Sequence, residues 1–295
     1  MTLDALIIIT ISCWGIWGIF DKLALQNASH RDVLLMLFLF FVPQVPLVWL
    51  VVHAWTPAWY PAKEVLFWTG LAATAYTLAM VAYLSAMSKT EASYVLGITA
   101  SYPLVLQLLA VALLGESLVI NRLLGAALIG AGVFAIGAST GHRPMQLSSR
   151  ERVEMIICVI VATLCWGVYG IFDKKALSYT GPIQVYFTQC LWDVAYLFVV
   201  AGIFRRQGQR IDLSSRRAWR YSGLSALMLM IGAWTYLSAL SQSTASYVVV
   251  ITGCYPLLMY VFALLFLKEN FNRVRFSGIA LVVAGGILVQ LTKSM

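Results

Sequence analysis

The chain has 295 residues, of which 61% are hydrophobic and only 11% charged, against roughly 25% charged in an ordinary soluble domain; a water-soluble globular protein is excluded. Its net charge of +8 would suggest a nucleic-acid partner in a soluble protein. Here most basic residues fall in short connections between apolar runs, where lipid headgroups and topology account for them, so the expected partner is a lipid bilayer and no nucleic acid.

A hydrocarbon core about 30 Å thick takes about 20 helical residues at about 1.5 Å each. Cutting the chain at its clusters of charge, Pro, Asn and Gly leaves ten predicted spans, and the longest connections are too short to fold a soluble domain. The first span, 3–24, lacks a basic n-region and a cleavage site, so it reads as a retained helix rather than a signal peptide. It carries CWGIWGIFDKLAL (13–25). Trp14 and Trp17 lie three apart and form one aromatic face beside Gly15 and Gly18, suited either to lining a cavity or to a packed seam. Asp21 and Lys22 fall in the last turn, where neighbours point about 100° apart and cannot pair on one face; they are read as snorkelling groups or as gating and coupling residues.

The second span, 33–53, is interrupted by Pro43, Gln44 and Pro46, and the third covers 65–87. The fourth, 92–114, holds SYVLGITASYP. Proline inside a span removes a backbone donor and frees a carbonyl about one turn earlier, here near Thr99, which makes Tyr94, Thr99 and Tyr102 candidates for substrate contact. The fifth span, 121–139, is rich in small residues, as is the tenth, 274–292; both suit tight packing within the chain or a homodimer seam. GASTG at 137–141, followed by His142, matches G-x-S-x-G, but a nucleophile elbow needs a strand-to-helix turn and this is a helix end.

The sixth span, 153–173, leads into CWGVYGIFDKKAL (165–177), with Trp166 and Tyr169 repeating the aromatic face and Asp173 and Lys174 repeating the acid-base pair. In the seventh, 183–204, Asp193 stands near the middle with no charge nearby in sequence, at an insertion cost of about 2.5–3.5 kcal/mol. It is read as a cavity residue for a cation, amine or proton, or as a neutral interhelical hydrogen bonder; Gln189 is a weaker polar candidate on the same helix. The eighth span covers 218–240. The ninth, 244–267, holds SYVVVITGCYP, so Tyr247, Thr252 and Tyr255 before Pro256 mirror the fourth. The five cysteines show no C-x-x-C pairing and read as packing residues. Walker A, H-E-x-x-H and phosphate-cradling loops are absent, so neither a metal, a cofactor nor an enzymatic activity is expected.

The two DK phrases are 152 positions apart, and YLSAMSKTEASYVLGITASYPL (83–104) recurs as YLSALSQSTASYVVVITGCYPL (236–257). The chain therefore divides into a first five-helix unit (1–140), a loop (141–152) and a second unit (153–295). An odd number of crossings sends the second copy through the membrane upside down, which places a substrate site near the midplane between the halves. The expected fold is an all-α polytopic membrane protein with ten transmembrane helices in two inverted five-helix repeats.

Ten spans in about 300 residues, a Trp-Gly phrase in helices 1 and 6, and a Tyr-Pro phrase followed by Gly-Glu or Lys-Glu in helices 4 and 9 resemble the drug/metabolite transporter superfamily, EamA type. The resemblance implies a secondary transporter with helices 1, 3, 4, 6, 8 and 9 around a central cavity and helices 5 and 10 as scaffold. It also implies both termini inside, whereas 15 of the 20 Lys and Arg residues lie on the odd-numbered loops and favour termini outside.

The expected function is alternating-access transport of a small-molecule substrate, a polar or amphipathic metabolite such as an amino acid or amine, in a bacterial plasma membrane. Asp193 argues for an amine and the paired lysines for a carboxylate or phosphate, so a zwitterion satisfies both. The alternative is a non-transporting component such as a lipid-carrier flippase subunit.

Overall fold

A computed structural model describes residues 1–99, 101–117, 119–139, 147–268 and 271–291. Among these residues the structure is all helical, without a strand. In chain order the helices are α1 (Leu3–Leu25), α2 (His30–Phe41), α3 (Gln44–Trp55), α4 (Lys63–Lys89), α5 (Ala92–Thr99), α6 (Tyr102–Leu114), α7 (Ile120–Ala138), α8 (Ser149–Leu177), α9 (Pro182–Arg206), α10 (Arg216–Gln242), α11 (Ala245–Thr252), α12 (Tyr255–Phe266) and α13 (Arg273–Gln290).

Local chemistry sets the boundaries. Thr2, Ser29, Ser148, Ser215 and Asn272 cap N-termini by accepting from a backbone N–H in the first turn, and at α8 Glu151 completes a capping box, which satisfies donors that no intrahelical partner can reach. The three breaks expected at proline are present: α2 ends before Pro43, and α6 and α12 each carry a proline in their first turn, Pro103 and Pro256. Seven stretches are long and apolar enough to cross a membrane: Leu3–Leu25, His30–Trp55, Lys63–Lys89, Ser149–Leu177, Pro182–Arg206, Arg216–Gln242 and Ala245–Phe266. Tyr102–Leu114 and Ile120–Ile136 are shorter apolar helices. The protein is an integral membrane protein.

Helices of the two sequence halves interleave. Helix α1 lies against α10 and α12, and α8 lies against α4 and α6. Glycine permits these approaches: a Cβ on Gly15 would stand 2.8 Å from Leu258 Cβ and 3.2 Å from the Tyr255 carbonyl oxygen, and one on Gly167 would stand 2.7 Å from Val105 Cβ and 3.2 Å from the Tyr102 carbonyl oxygen. The two contacts are counterparts at the repeat offset. The small-residue faces of α7 and α13 meet each other, with a Cβ on Gly285 falling 2.6 Å from the Gly125 carbonyl oxygen. These small-residue faces pack against each other within the chain.

Polar contacts between helix ends form two separate groups. In one, Lys89 Nζ meets Glu154 Oε2 at 3.0 Å, Arg275 Nη2 meets Glu91 Oε2 at 3.1 Å, Asp212 N donates to Asp32 Oδ1 at 2.9 Å, and Arg31 donates to Gln209. In the other, Glu116 accepts from the N–H groups of Ala245 and Ser246 at 2.7 and 3.2 Å, and Arg122 donates to Thr244 and Ser246 at 2.9 and 3.2 Å. Ser139 of the G-x-S-x-G match ends α7 and accepts from Arg275 Nε at 2.8 Å, a structural tie. Thr140, Gly141 and His142 lie outside the described residues, as do positions 143–146 of the inter-repeat loop.

Candidate functional site

A cavity lies between the halves of the chain. Its wall is assembled from matched positions. Trp14 and Trp17 come from α1, Trp166 and Tyr169 from α8; Tyr102 and Tyr255 stand at the starts of α6 and α12, where the proline breaks turn them inward. Helix α4 adds Ala73, Tyr76 and Met80, and α10 adds Leu229, Met230, Ala233 and Tyr236. The α2–α3 break contributes Phe41 and Gln44, and α9 contributes Tyr186, Gln189 and Asp193. The cavity therefore also draws on the second and seventh spans of the sequence.

The rings form a continuous net. Trp17 contacts Tyr83, Trp166 and Tyr255 at centroid distances of 5.2, 5.9 and 5.9 Å; Trp14 lies 5.2 Å from Tyr236; and Tyr76 lies 5.9 Å from Tyr169. Such separations suit offset and edge-on contact between aromatic quadrupoles. The inner tyrosines face threonines of the opposite half, Tyr102 toward Thr252 and Tyr255 toward Thr99. Gln44 accepts from the Tyr186 hydroxyl at 2.6 Å, while its own Nε2 is a buried donor without a partner among the described residues.

Among the described residues Asp193 is the one charged side chain in this wall. It is partly exposed, and no hydrogen bond or ion pair joins it to another described residue. An uncompensated carboxylate inside a membrane protein is expensive, and here it faces a volume lined mainly by aromatic rings. That arrangement complements a cation, through the carboxylate directly and through the faces of the surrounding rings.

The other expected site residues fall in different places. Thr99 and Thr252 are fully buried and donate to the carbonyls of Val95 and Val248 at 2.9 Å each; they brace the helix ends at the breaks and do not line the cavity. Tyr94 packs against the core, and Tyr247 lies beneath the Arg122 guanidinium, 5.7 Å from ring centre to Cζ. Lys22 donates to the carbonyls of Met87 and Thr90 at 2.9 and 2.7 Å, and Lys174 to those of Leu240 and Ser243 at 2.7 Å each. Both ammonium groups thus hold the C-terminal ends of α4 and α10, as cations do at the negative end of a helix, and neither lines the cavity. Asp21 and Asp173 are fully buried behind the wall: Ser225 donates to Asp21 Oδ1 and Gln189 to Asp173 Oδ1, each at 2.6 Å. Sequence reasoning passed over Tyr76, Met80 and Tyr236; Tyr236 opens one of the duplicated phrases, and that was the signal available for it.

Comparison with known proteins agrees with this architecture. The EamA-like transporter family matches the chain over residues 1–138 and again over 154–291. An uncharacterized transporter of Archaeoglobus fulgidus is 20% identical over 212 residues, spanning 72% of this chain and 70% of that protein. An uncharacterized protein of Methanocaldococcus jannaschii is 23% identical over 137 residues, which are 46% of this chain and 96% of that protein. A solved crystal structure superposes with a TM-score of 0.74 at 15% identity, over 98% of this chain and 96% of that one, a likeness of fold.

Proposed function

The chain belongs to the EamA-like transporter family, and from that premise we propose that it is a secondary transporter of the plasma membrane that moves a small amine-bearing metabolite by alternating access. The single observation that carries the substrate class is the lone Asp193 carboxylate in an aromatic wall that contains no Lys, Arg or His. The lysines that argued from sequence for a carboxylate or phosphate are committed to backbone carbonyls outside the cavity. A substrate whose positive charge is its main polar anchor therefore suits the cavity better than a zwitterion.

Alternating access rests on ten crossings in two inverted halves, with α2–α3, α5–α6 and α11–α12 each forming one broken crossing. The two groups of helix-end contacts support this. If the connections are numbered by the ten spans, the ties around Glu91, Arg275, Lys89 and Asp212 join odd-numbered connections only, and those around Glu116, Arg122 and Thr244 join even-numbered ones only, as two membrane faces require.

The test is a thermal-shift screen of amines, carboxylates and zwitterions on the purified protein, repeated with Asp193→Asn, followed by counterflow of each hit in proteoliposomes. Stabilisation by amines that vanishes in the variant, with saturable counterflow, supports the proposal. Hits confined to carboxylates, or amine hits indifferent to Asp193→Asn, overturn the substrate class. Binding of lipid-linked compounds alone, without counterflow, would favour a non-transporting role.

A further inference from the structure

Behind the cavity wall stand two carboxyl groups that substrate binding does not use. Asp21 and Asp173 occupy equivalent positions in the two halves, both with 0% of their surface exposed. Each has one oxygen held by one neutral donor, Ser225 or Gln189 at 2.6 Å, and each has its second oxygen, Oδ2, buried without a hydrogen-bond partner among the described residues. The surroundings of both are neutral. Asp21 is faced by Trp17 on its own helix, by Tyr76 and Tyr83 from α4 and by Ser225 from α10. Asp173 is faced by Tyr169 on its own helix, by Gln189 from α9 and by Tyr236 from α10. The adjacent lysines turn away to the ends of α4 and α10, and neither carboxyl takes part in an ion pair among the described residues.

Burying a charge without a partner is far more costly than burying a neutral hydrogen-bonded acid. Each group also touches the wall through a residue that lines the cavity: Trp17 for Asp21, and Gln189 and Tyr169 for Asp173. Resting on the transporter reading above, we propose that Asp21 and Asp173 are a pair of proton-binding sites, one per half, that couple transport to protons separately from the substrate anchor Asp193. While the wall is closed over it, each acid keeps its O–H. When its half opens to water, the O–H bond breaks, the proton passes to water on that side, and the carboxylate is hydrated. The deprotonated acid passes through the closed state only with a cationic substrate in the cavity to balance its charge, and reprotonation from water on the opposite side then closes the cycle with one proton moved per acid.

The experiment needs no identified substrate. The full-length protein in liposomes, with its five cysteines replaced and a nitroxide placed at Met230→Cys in the wall, is read for accessibility to a water-soluble relaxant in mildly acidic and mildly alkaline buffer. Infrared spectra of the same samples report the carbonyl stretch of protonated carboxylic acids. The expected result is a pH-dependent accessibility that is lost when Asp21→Asn and Asp173→Asn are combined and survives in Asp193→Asn. Each of the first two variants should remove a protonated-acid band. Ser225→Ala, which takes one donor from Asp21 and leaves the acid in place, should move the midpoint of the response without abolishing it. A response that persists in the double variant, that is absent from the parent protein, or that disappears only with Asp193→Asn overturns the proposal. The substrate reading is judged separately, by whether Asp193→Asn removes amine binding.

Discussion

At the scale of single residues, Lys22 and Lys174 show how the same side chain that could hold a substrate is instead spent on the backbone. The last carbonyls of a helix have no intrahelical donor, and inside a membrane they cannot rely on water; each ammonium covers two of them at once. Lys174→Ala should therefore lower the Tm of the purified protein, because a buried acceptor left without its donor costs about 1–3 kcal/mol, and it should leave the affinity for an amine ligand within about twofold. Calorimetry and binding titration on one sample separate the two effects; a large affinity loss at unchanged Tm would return the lysine to the binding machinery. Asp193 should behave in the opposite way. Asp193→Asn keeps the shape and removes the charge, so amine affinity should fall about 10–100-fold, the worth of a charge-assisted hydrogen bond, with Tm unchanged or raised as an uncompensated charge in the cavity wall disappears. Isothermal titration with the best amine from the screen measures it.

At the scale of elements, the cavity depends on how closely α8 can approach α6 and α1 can approach α12. Gly167→Val would drive its methyls into Val105 and the Tyr102 carbonyl, at an overpacking cost of about 1–3 kcal/mol. It should displace Trp166 and Tyr102 together, so ligand affinity and Tm should fall in parallel; loss of affinity at full Tm would mean that the glycine serves something other than this approach. The breaks at Pro43, Pro103 and Pro256 were legible in the sequence, because a missing N–H interrupts a helix whatever surrounds it. The aromatic phrases of α1 and α8 were legible as faces, and the seam of α7 with α13 as one of two options. What the sequence did not reveal was which polar residues of a broken helix turn inward. Thr99 and Thr252 sit one turn before the prolines and looked available, yet their hydroxyls return to their own helix. Tyr102 and Tyr255 point into the cavity because α1 and α8, distant in sequence, lean against the other half. Helix spacing places a residue on a face; the partner that the face meets is a property of the tertiary packing.

At the scale of the whole molecule, the repeat governs everything. The contacts of α1 with α12 and of α8 with α6, and the lysine caps on α4 and α10, come as exchanged pairs, in which each half completes the other. Departures from that symmetry mark the specific site: Asp193 corresponds to Phe41, and the α2–α3 break at Pro43 has no counterpart in the continuous α9. Under the proposed function, the duplicated parts are the frame that rocks and the unmatched residues set its selectivity. The most direct measurement of this account is the sidedness of two equivalent helix starts, Lys63 at α4 and Arg216 at α10, each changed to cysteine in an otherwise cysteine-free chain and labelled with a membrane-impermeant maleimide in sealed right-side-out and inside-out vesicles. Inverted halves predict that the two positions label from opposite faces; labelling of both from the same face would contradict the inversion and, with it, the alternating cavity between the halves.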